Sequence, residues 1–141
     1  MGEPAPLTLL AQDEEDLSVV SAALQDAVAR VGDVVFEKRA RRLTIAFNRF
    51  RWEAGARQRI RSALQVGGVM AVQARRIRND RRDAVLELLA IGFEATDPPG
   101  GVVTFSFAGG GDLRAQVECI DAVLADVSQP WPTPRAPAHD A

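Results

Sequence analysis

The chain has 141 residues, 47% of them hydrophobic and 26% charged, with a formal net charge of −2. This composition is typical of a single globular domain with a hydrophobic core. It excludes a disulfide framework and a zinc site built from several Cys and His ligands, because Cys119 and His139 are the only residues of their types. From the sequence we assign no catalytic residue, no metal ligand and no cofactor.

Two further absences bear on location. No apolar run approaches the roughly 20 residues that a membrane-spanning helix needs. Residues 1–6 lack the basic segment and the apolar run of a signal peptide. We therefore expect a cytoplasmic protein that does not insert into a membrane.

Charge is strongly segregated along the chain. Residues 1–37 carry a net charge of −7, residues 38–82 carry +12, and residues 83–141 carry −7. Such asymmetry favours an anionic partner for the basic segment. In the alternative interpretation, acidic helices pack beside the basic strands and neutralise them within the fold.

The N-terminal region predicts a strand followed by a helix. Residues 6–11 form a short apolar run, and residues 12–33 show the 3.6-residue period of a helix with one buried face. Asp13 is a suitable N-cap, and Gly32 suits the C-terminal end of this helix. The acidic residues after Asp13 have a structural explanation in the helix dipole, so we assign them no function.

Residues 34–52 change to a period of two, which predicts a hairpin with a basic turn at residues 38–41. Leu43, Ile45 and Phe47 share one face of the second strand. Phe50 and Trp52 have the opposite parity, so we expect the inward face to switch near residues 48–49, which a β-bulge or the end of the strand would explain.

The rest of the chain predicts strands at residues 57–66, 69–77 and 83–95, a hairpin over residues 102–118, and a short closing helix at residues 118–127. The fold class is α+β: a curled antiparallel β-meander of about seven strands, with a leading strand–helix unit and a short C-terminal helix. This order resembles a pleckstrin-homology-like barrel. The leading strand and helix resemble a helix-grip fold instead, although the closing helix of about ten residues is short for that fold. We place a single domain at residues 1–128 and a proline-rich, partly disordered tail at residues 129–141.

The basic segment supplies the candidate site. On predicted strands, arginines alternate with inward residues and therefore project from one face. Guanidinium groups suit anions because their planar fork of donors matches phosphate and carboxylate. The predicted binding residues for an anionic partner are Arg49, Arg51, Arg57, Arg59, Arg61, Arg75, Arg76 and Arg78.

Four segments carry a resemblance to a known family: "LTLLAQDEEDLSVVSAALQDAV", "NRFRWE", "AVLELLAIGFE" and "GGGDLRAQVECIDAVLADVSQPWPT". With them the chain resembles the alphaproteobacterial family called domain of unknown function 2948, from about residue 7 to residue 133. The resemblance implies a small cytoplasmic bacterial protein. It implies no activity and no functional residue.

Three hypotheses follow. The leading one is a non-enzymatic binding or adaptor domain whose arginine-rich sheet face meets an acidic protein surface or RNA. The second is a small-molecule binder, or an enzyme, that holds an anionic metabolite in the curled sheet. The third is a homodimer in which the acidic helix of one copy lies on the basic face of another. Inward-facing Phe50 and Trp52 would count against base stacking on RNA.

Overall fold

The structure, a computed structural model, describes residues 6–134. These residues form one α-helix, one 3-10 turn and eleven strands. The helix α1 spans Glu14–Ala23 and the 3-10 turn spans Val31–Asp33. The strands are β1 Thr8–Ala11, β2 Val28–Arg30, β3 Val34–Glu37, β4 Arg42–Phe50, β5 Gln58–Val66, β6 Val69–Arg75, β7 Val85–Ala95, β8 Gly101–Phe107, β9 Asp112–Val117, β10 Ala122–Asp126 and β11 Trp131–Pro132.

All strands join one antiparallel sheet that does not close. Its order is β1-β10-β5-β4-β2-β7-β8-β9-β6, while β3 pairs with β4 and β11 pairs with β5. The domain is therefore α+β and mainly β, with a single α-helix in residues 6–134. The expected count of about seven strands is wrong, and the pleckstrin-homology-like arrangement is not confirmed. No helix in this part of the chain is long and apolar enough to cross a membrane.

Helix α1 begins as predicted and ends early. The carboxylate of Asp13 accepts a hydrogen bond from the backbone N–H of Asp16 at 2.8 Å, which caps the first turn. The helix ends at Ala23, and Asp26 takes a left-handed φ of 61° before β2 begins. The prediction of a helix up to Gly32 is therefore wrong.

The helical period misled because it also fits a strand. Ala27, Ala29 and Val31 are all buried, so the same apolar residues alternate inward along β2. The backbone N–H of Asp26 donates to Leu88 O, and Leu88 N–H donates to Ala27 O, both at 2.9 Å. Pairing with β7 overrides the local helical preference here.

The predicted C-terminal helix is also wrong, because residues 122–126 form strand β10 between β1 and β5. Ala122 and Leu124 are buried on one face, and Val127, which the helical spacing places inward, is exposed. Two flanking strands satisfy the backbone of β10 on both sides, and sequence spacing alone does not reveal such neighbours.

The two predicted hairpins are present, at β3–β4 and β8–β9. The glycine turn at Gly67–Gly68 is not a hairpin: β5 and β6 do not pair, and β6 pairs with β9 at the far end of the sheet. A Cβ on Gly67 would lie 2.8 Å from the carboxylate of Asp121, and Gly68 has a φ of 64°, so this corner needs glycine. The predicted tail contributes β11, and residues 135–141 lie outside the described part of the chain.

Candidate anion-binding face of the sheet

Strand β5 places Arg59 and Arg61 on the outer side of the sheet. Ile60 and Ser62 are buried on its inner side, and alternate residues of a strand face opposite ways. Across the strand pairs, Arg61 lies opposite Asn48 of β4, and Arg59 lies opposite Trp131 of β11. Cross-strand partners share a face, so these side chains form one surface.

A polar pocket of about 310 Å³ opens beside Arg61. The guanidinium of Arg61 donates to Asn48 Oδ1 at 3.1 Å and to Asp33 Oδ1 at 3.0 Å. The other oxygen of Asp33 accepts from the backbone N–H of Arg30 at 3.0 Å. These contacts hold Arg61 in one orientation, with 39% of its side chain still exposed. The pocket is lined by Val28, Ala29, Arg30, Asp33, Asn48, Arg61 and Val85.

Arg57 and Arg59 extend this surface toward β11. The exposed Arg57 donates to the backbone oxygen of Pro134 at 3.1 Å, and the half-buried Arg59 donates to that of Asn48 at 3.3 Å. We call Arg30, Arg57, Arg59 and Arg61, with Asn48 and Trp131, the arginine face.

Arg49 and Arg51 do not belong to the arginine face, contrary to the sequence-based expectation. Their side chains are 0% and 2% exposed. The inward face of β4 does not switch at residues 48–49, so Arg49 follows Phe47 into the interior. The expectation rested on charged residues lying outside, and burial of a paired arginine overrides that rule.

The buried guanidinium of Arg49 donates hydrogen bonds to several neighbouring side chains. Asp126 accepts two of them, at 3.0 Å and 2.9 Å, and Glu53 accepts two more, at 3.0 Å and 2.7 Å. Ser62 Oγ accepts from Arg49 Nε at 3.1 Å and donates to Asp126 at 2.6 Å. Leu7 N–H donates to Asp126 at 2.7 Å. We call Arg49, Glu53, Ser62 and Asp126 the buried network.

The ionisation of this network follows from its contacts. Burial alone would raise the pKa of Asp126, whose side chain is 0% exposed, but hydrogen bonds from Arg49, Ser62 and the Leu7 N–H lower that pKa. The hydrogen bond from Arg49 likewise lowers the pKa of Glu53. Burial alone would lower the pKa of Arg49, and its hydrogen bonds to the two carboxylates raise it. All three groups are therefore held in their charged forms.

Sequence reasoning missed this network, although a signal for it exists. Arg49 has the parity of Phe47 on β4, Ser62 has that of Leu64 on β5, and Asp126 has that of Leu124 on β10. Three polar residues thus occupy inward positions of three neighbouring strands. The helical interpretation of residues 118–127 concealed the third.

Arg51 fixes the loop between β4 and β5. Its guanidinium donates to Gln58 Oε1 at 2.7 Å, and its backbone N–H donates to Gln58 O at 2.9 Å. The Nε of Arg51 lies 3.9 Å from the carboxylate of Glu53. These contacts hold together the two ends of the loop that carries Arg57.

Arg75, Arg76 and Arg78 lie apart from the arginine face in the sheet. Arg75 is the last residue of β6, Arg76 and Arg78 follow it, and five strands separate β6 from β5 in the sheet order. Arg75 pairs with Asp112 at 2.7 Å and Arg78 pairs with Asp80 at 3.2 Å, while Arg76 is exposed. The sheet pairing therefore does not bring the eight predicted residues together on one surface.

Internal neutralisation is partial and does not come from the acidic helix. Among residues 6–134, the paired arginines take their carboxylates from strands and turns. Glu14 and Glu15 of α1 lie exposed at the positive end of the helix dipole. Within the described residues, Arg61 of the arginine face forms an ion pair with Asp33.

Both tryptophans are partly exposed, contrary to the inward position expected for Trp52. Trp52 is 41% exposed and makes an edge contact with Phe50, with ring centroids 4.7 Å apart, while Phe50 is buried as expected. Trp131 is 37% exposed and lies opposite Arg59. An aromatic surface is thus available beside the arginines, so the objection to base stacking no longer holds.

This geometry defines a domain built on an unclosed antiparallel sheet with one α-helix in residues 6–134. In the described part of the chain, no three His, Cys, Asp or Glu side chains cluster as metal ligands. Residues 7–139 match the family described as "Protein of unknown function (DUF2948)", and the chain belongs to that family. No curated protein and no solved structure matches the chain.

Replacing Arg49 with Met should lower the free energy of unfolding by about 3–5 kcal/mol, because Asp126 and Glu53 would lose their shared cation within the protein. Urea denaturation at neutral pH measures this loss. The matched control, Arg57→Met, removes an exposed arginine and should change stability by less than about 0.5 kcal/mol. Equal effects of the two substitutions would contradict a structural role for Arg49.

The buried network also predicts a direction of pH dependence. The pKa of Asp126 is lower in the folded state than in the unfolded chain, where it is about 3.9. Its stabilising contribution is therefore complete above the unfolded value and is lost as the pH falls through the folded value. Urea denaturation between pH 7 and pH 2 should show a loss of stability below about pH 4. The loss should be smaller in Asp126→Asn, and an unchanged pH profile in that variant would contradict this assignment.

Proposed function

We propose that this protein is a non-enzymatic binding or adaptor domain whose arginine face meets an anionic partner. The partner is single-stranded RNA or an acidic protein surface. The proposal includes what the family resemblance implies, namely that the protein is cytoplasmic and comes from an alphaproteobacterium. We assign it no catalytic residue and no cofactor.

One observation carries this proposal: Arg59 and Arg61 project from the outer side of β5, Arg57 immediately precedes that strand, and Arg61 lines a polar pocket together with Arg30. Phosphate and carboxylate oxygens fit the fork of donors on a guanidinium. The Asn48 and Asp33 contacts fix Arg61 in advance, which lowers the entropy lost on binding.

Trp131 favours RNA over an acidic protein surface. Single-stranded nucleic acids bind to positive surfaces on which aromatic side chains stack with bases, and each stacked base contributes about 1–3 kcal/mol. Trp131 lies directly opposite Arg59, so a base stacked on its ring would have its phosphate within the arginine face. An acidic peptide has no base that could stack on the Trp131 ring.

Replacing Arg57, Arg59 and Arg61 together with Gln should abolish binding to a labelled oligo-uridylate, measured by fluorescence anisotropy at low salt. The fold should survive, because among residues 6–134 the variant removes the partly exposed Arg61–Asp33 ion pair, and such pairs contribute about 0–1 kcal/mol. For the unmodified protein, four arginines on four phosphates predict a slope of roughly −2.8 for log affinity against log salt.

The matched control removes the same charge elsewhere. Lys38, Arg39 and Arg41 lie in the β3–β4 turn, and their triple Gln variant should retain most of the affinity. Equal losses in both variants would show binding through overall charge and would contradict the arginine face as a site.

In Trp131→Ala, affinity for oligo-uridylate should fall, while affinity for poly-glutamate should not. Selective binding of poly-glutamate would identify an acidic protein as the partner class.

A homodimer held together by opposite charges would be recognised by its dependence on salt. The exposed Glu14 and Glu15 could lie on the arginine face of a second copy. A mass measurement at low and high salt tests this arrangement, because a dimer held by exposed charges dissociates as salt screens them.

A further inference from the structure

The sheet leaves an opening between its unpaired edges. In residues 6–134, β3 pairs only with β4, and β6 pairs only with β9. Residues of both strands line a cleft of about 240 Å³, together with residues of β7, β9, the 3-10 turn and the loop after β6. The lining residues are Val31, Val34, Ala74, Ile77, Asn79, Arg82, Leu86 and Leu113.

This cleft reaches the core side of the sheet. Ala74 lies opposite Leu113, which lies opposite Phe105, so the three side chains share one face. Phe105 is 0% exposed and Leu113 is 4% exposed, yet Ala74 is exposed. The sheet face that carries these core residues therefore reaches solvent at Ala74, and six of the lining side chains are apolar.

A single charged group stands among the lining residues, and it is a cation. The backbone oxygen of Arg82 accepts from Gly32 N–H at 2.8 Å, and its guanidinium donates to Gly32 O at 3.4 Å. A Cβ at Gly32 would lie 3.1 Å from Arg82 O, so glycine permits this close approach. Among the described residues, no carboxylate lines the cleft to neutralise Arg82.

The surrounding loop adds to this positive charge. Residues 76–84 contain four arginines and two aspartates. One of the aspartates, Asp80, is paired with Arg78 at 3.2 Å. An anion that approaches the opening therefore meets a net positive segment.

We propose that this cleft binds a small carboxylate with a short apolar chain. The chain fills the space between Ala74, Ile77 and Leu86, and the carboxylate meets the guanidinium of Arg82. Ligand pockets usually measure about 300–1,000 Å³, so a cleft of about 240 Å³ suits a ligand at the small end of that range. This site is separate from the arginine face and gives the second sequence-based hypothesis a location.

The test uses hexanoate as the probe, followed by backbone amide NMR shifts of the ¹⁵N-labelled protein. Saturable shifts are expected at Val34, Ile77, Leu86 and Leu113. Hexanol has a similar chain without the charge, and acetate has the charge without the chain, so each should bind at least about tenfold more weakly than hexanoate. Shifts that do not saturate, or that lie away from the cleft, would overturn the proposal.

Variants separate this site from the surface charge of the loop. Arg82→Gln should weaken hexanoate binding about tenfold or more, because a charge-assisted hydrogen bond is lost. Arg81→Gln makes the same change at an exposed neighbour that does not line the cleft, and it should bind hexanoate normally. Ala74→Phe places a larger side chain at an exposed position of the cleft and should block hexanoate binding. The amide spectrum of this variant should remain that of a folded protein.

The proposal is wrong if Arg82→Gln and Arg81→Gln bind hexanoate equally, or if a folded Ala74→Phe variant still binds it. The Gln variant of Arg57, Arg59 and Arg61 should bind hexanoate as the unmodified protein does. Its behaviour therefore keeps a failure of this inference distinct from a failure of the proposed function.

Discussion

The fold depends on where the charge of Arg49 goes. A guanidinium stays protonated in proteins, so a buried one must find acceptors for its donors or destabilise the fold. Asp126 of β10 and Glu53 after β4 supply four of those acceptors, and Ser62 of β5 supplies another. Asp126 also accepts from Leu7 just before β1. Arg49 and Asp126 together thus link four neighbouring strands at one end of the sheet, in the order β1-β10-β5-β4.

The same constraint separates the arginines by role. Because Arg49 and Ser62 face inward, the alternation of β5 directs Arg59 and Arg61 outward. Structural and surface arginines therefore lie only a few residues apart in the sequence. A count of positive charge in residues 38–82 does not distinguish them, whereas strand parity and the position of acids on other strands do.

Local patterns predicted the features that depend on neighbours in sequence: the Asp13 cap, the turn at residues 38–41, and the hairpin that β8 and β9 form. They did not predict β2 and β10, because short apolar runs are compatible with a helix as well as with a strand. Pairing with distant strands decides between the two, and one sequence does not contain that information in readable form. The predicted outward positions of Arg49 and Arg51 were wrong for the same reason. Arg49 is buried because it pairs with Asp126, which lies 77 residues away in the sequence.

The most direct measurement is an NMR spectrum of the arginine Nε–H groups, recorded during hydrogen exchange and during titration with oligo-uridylate. The Nε–H of Arg49, which donates to Ser62 and Asp126, should exchange slowly and keep its shift throughout the titration. The Nε–H signals of Arg57, Arg59 and Arg61 should exchange faster and move together as the ligand is added. Fast exchange at Arg49, or shifts spread evenly over all arginines, would contradict the division into a buried network and an arginine face.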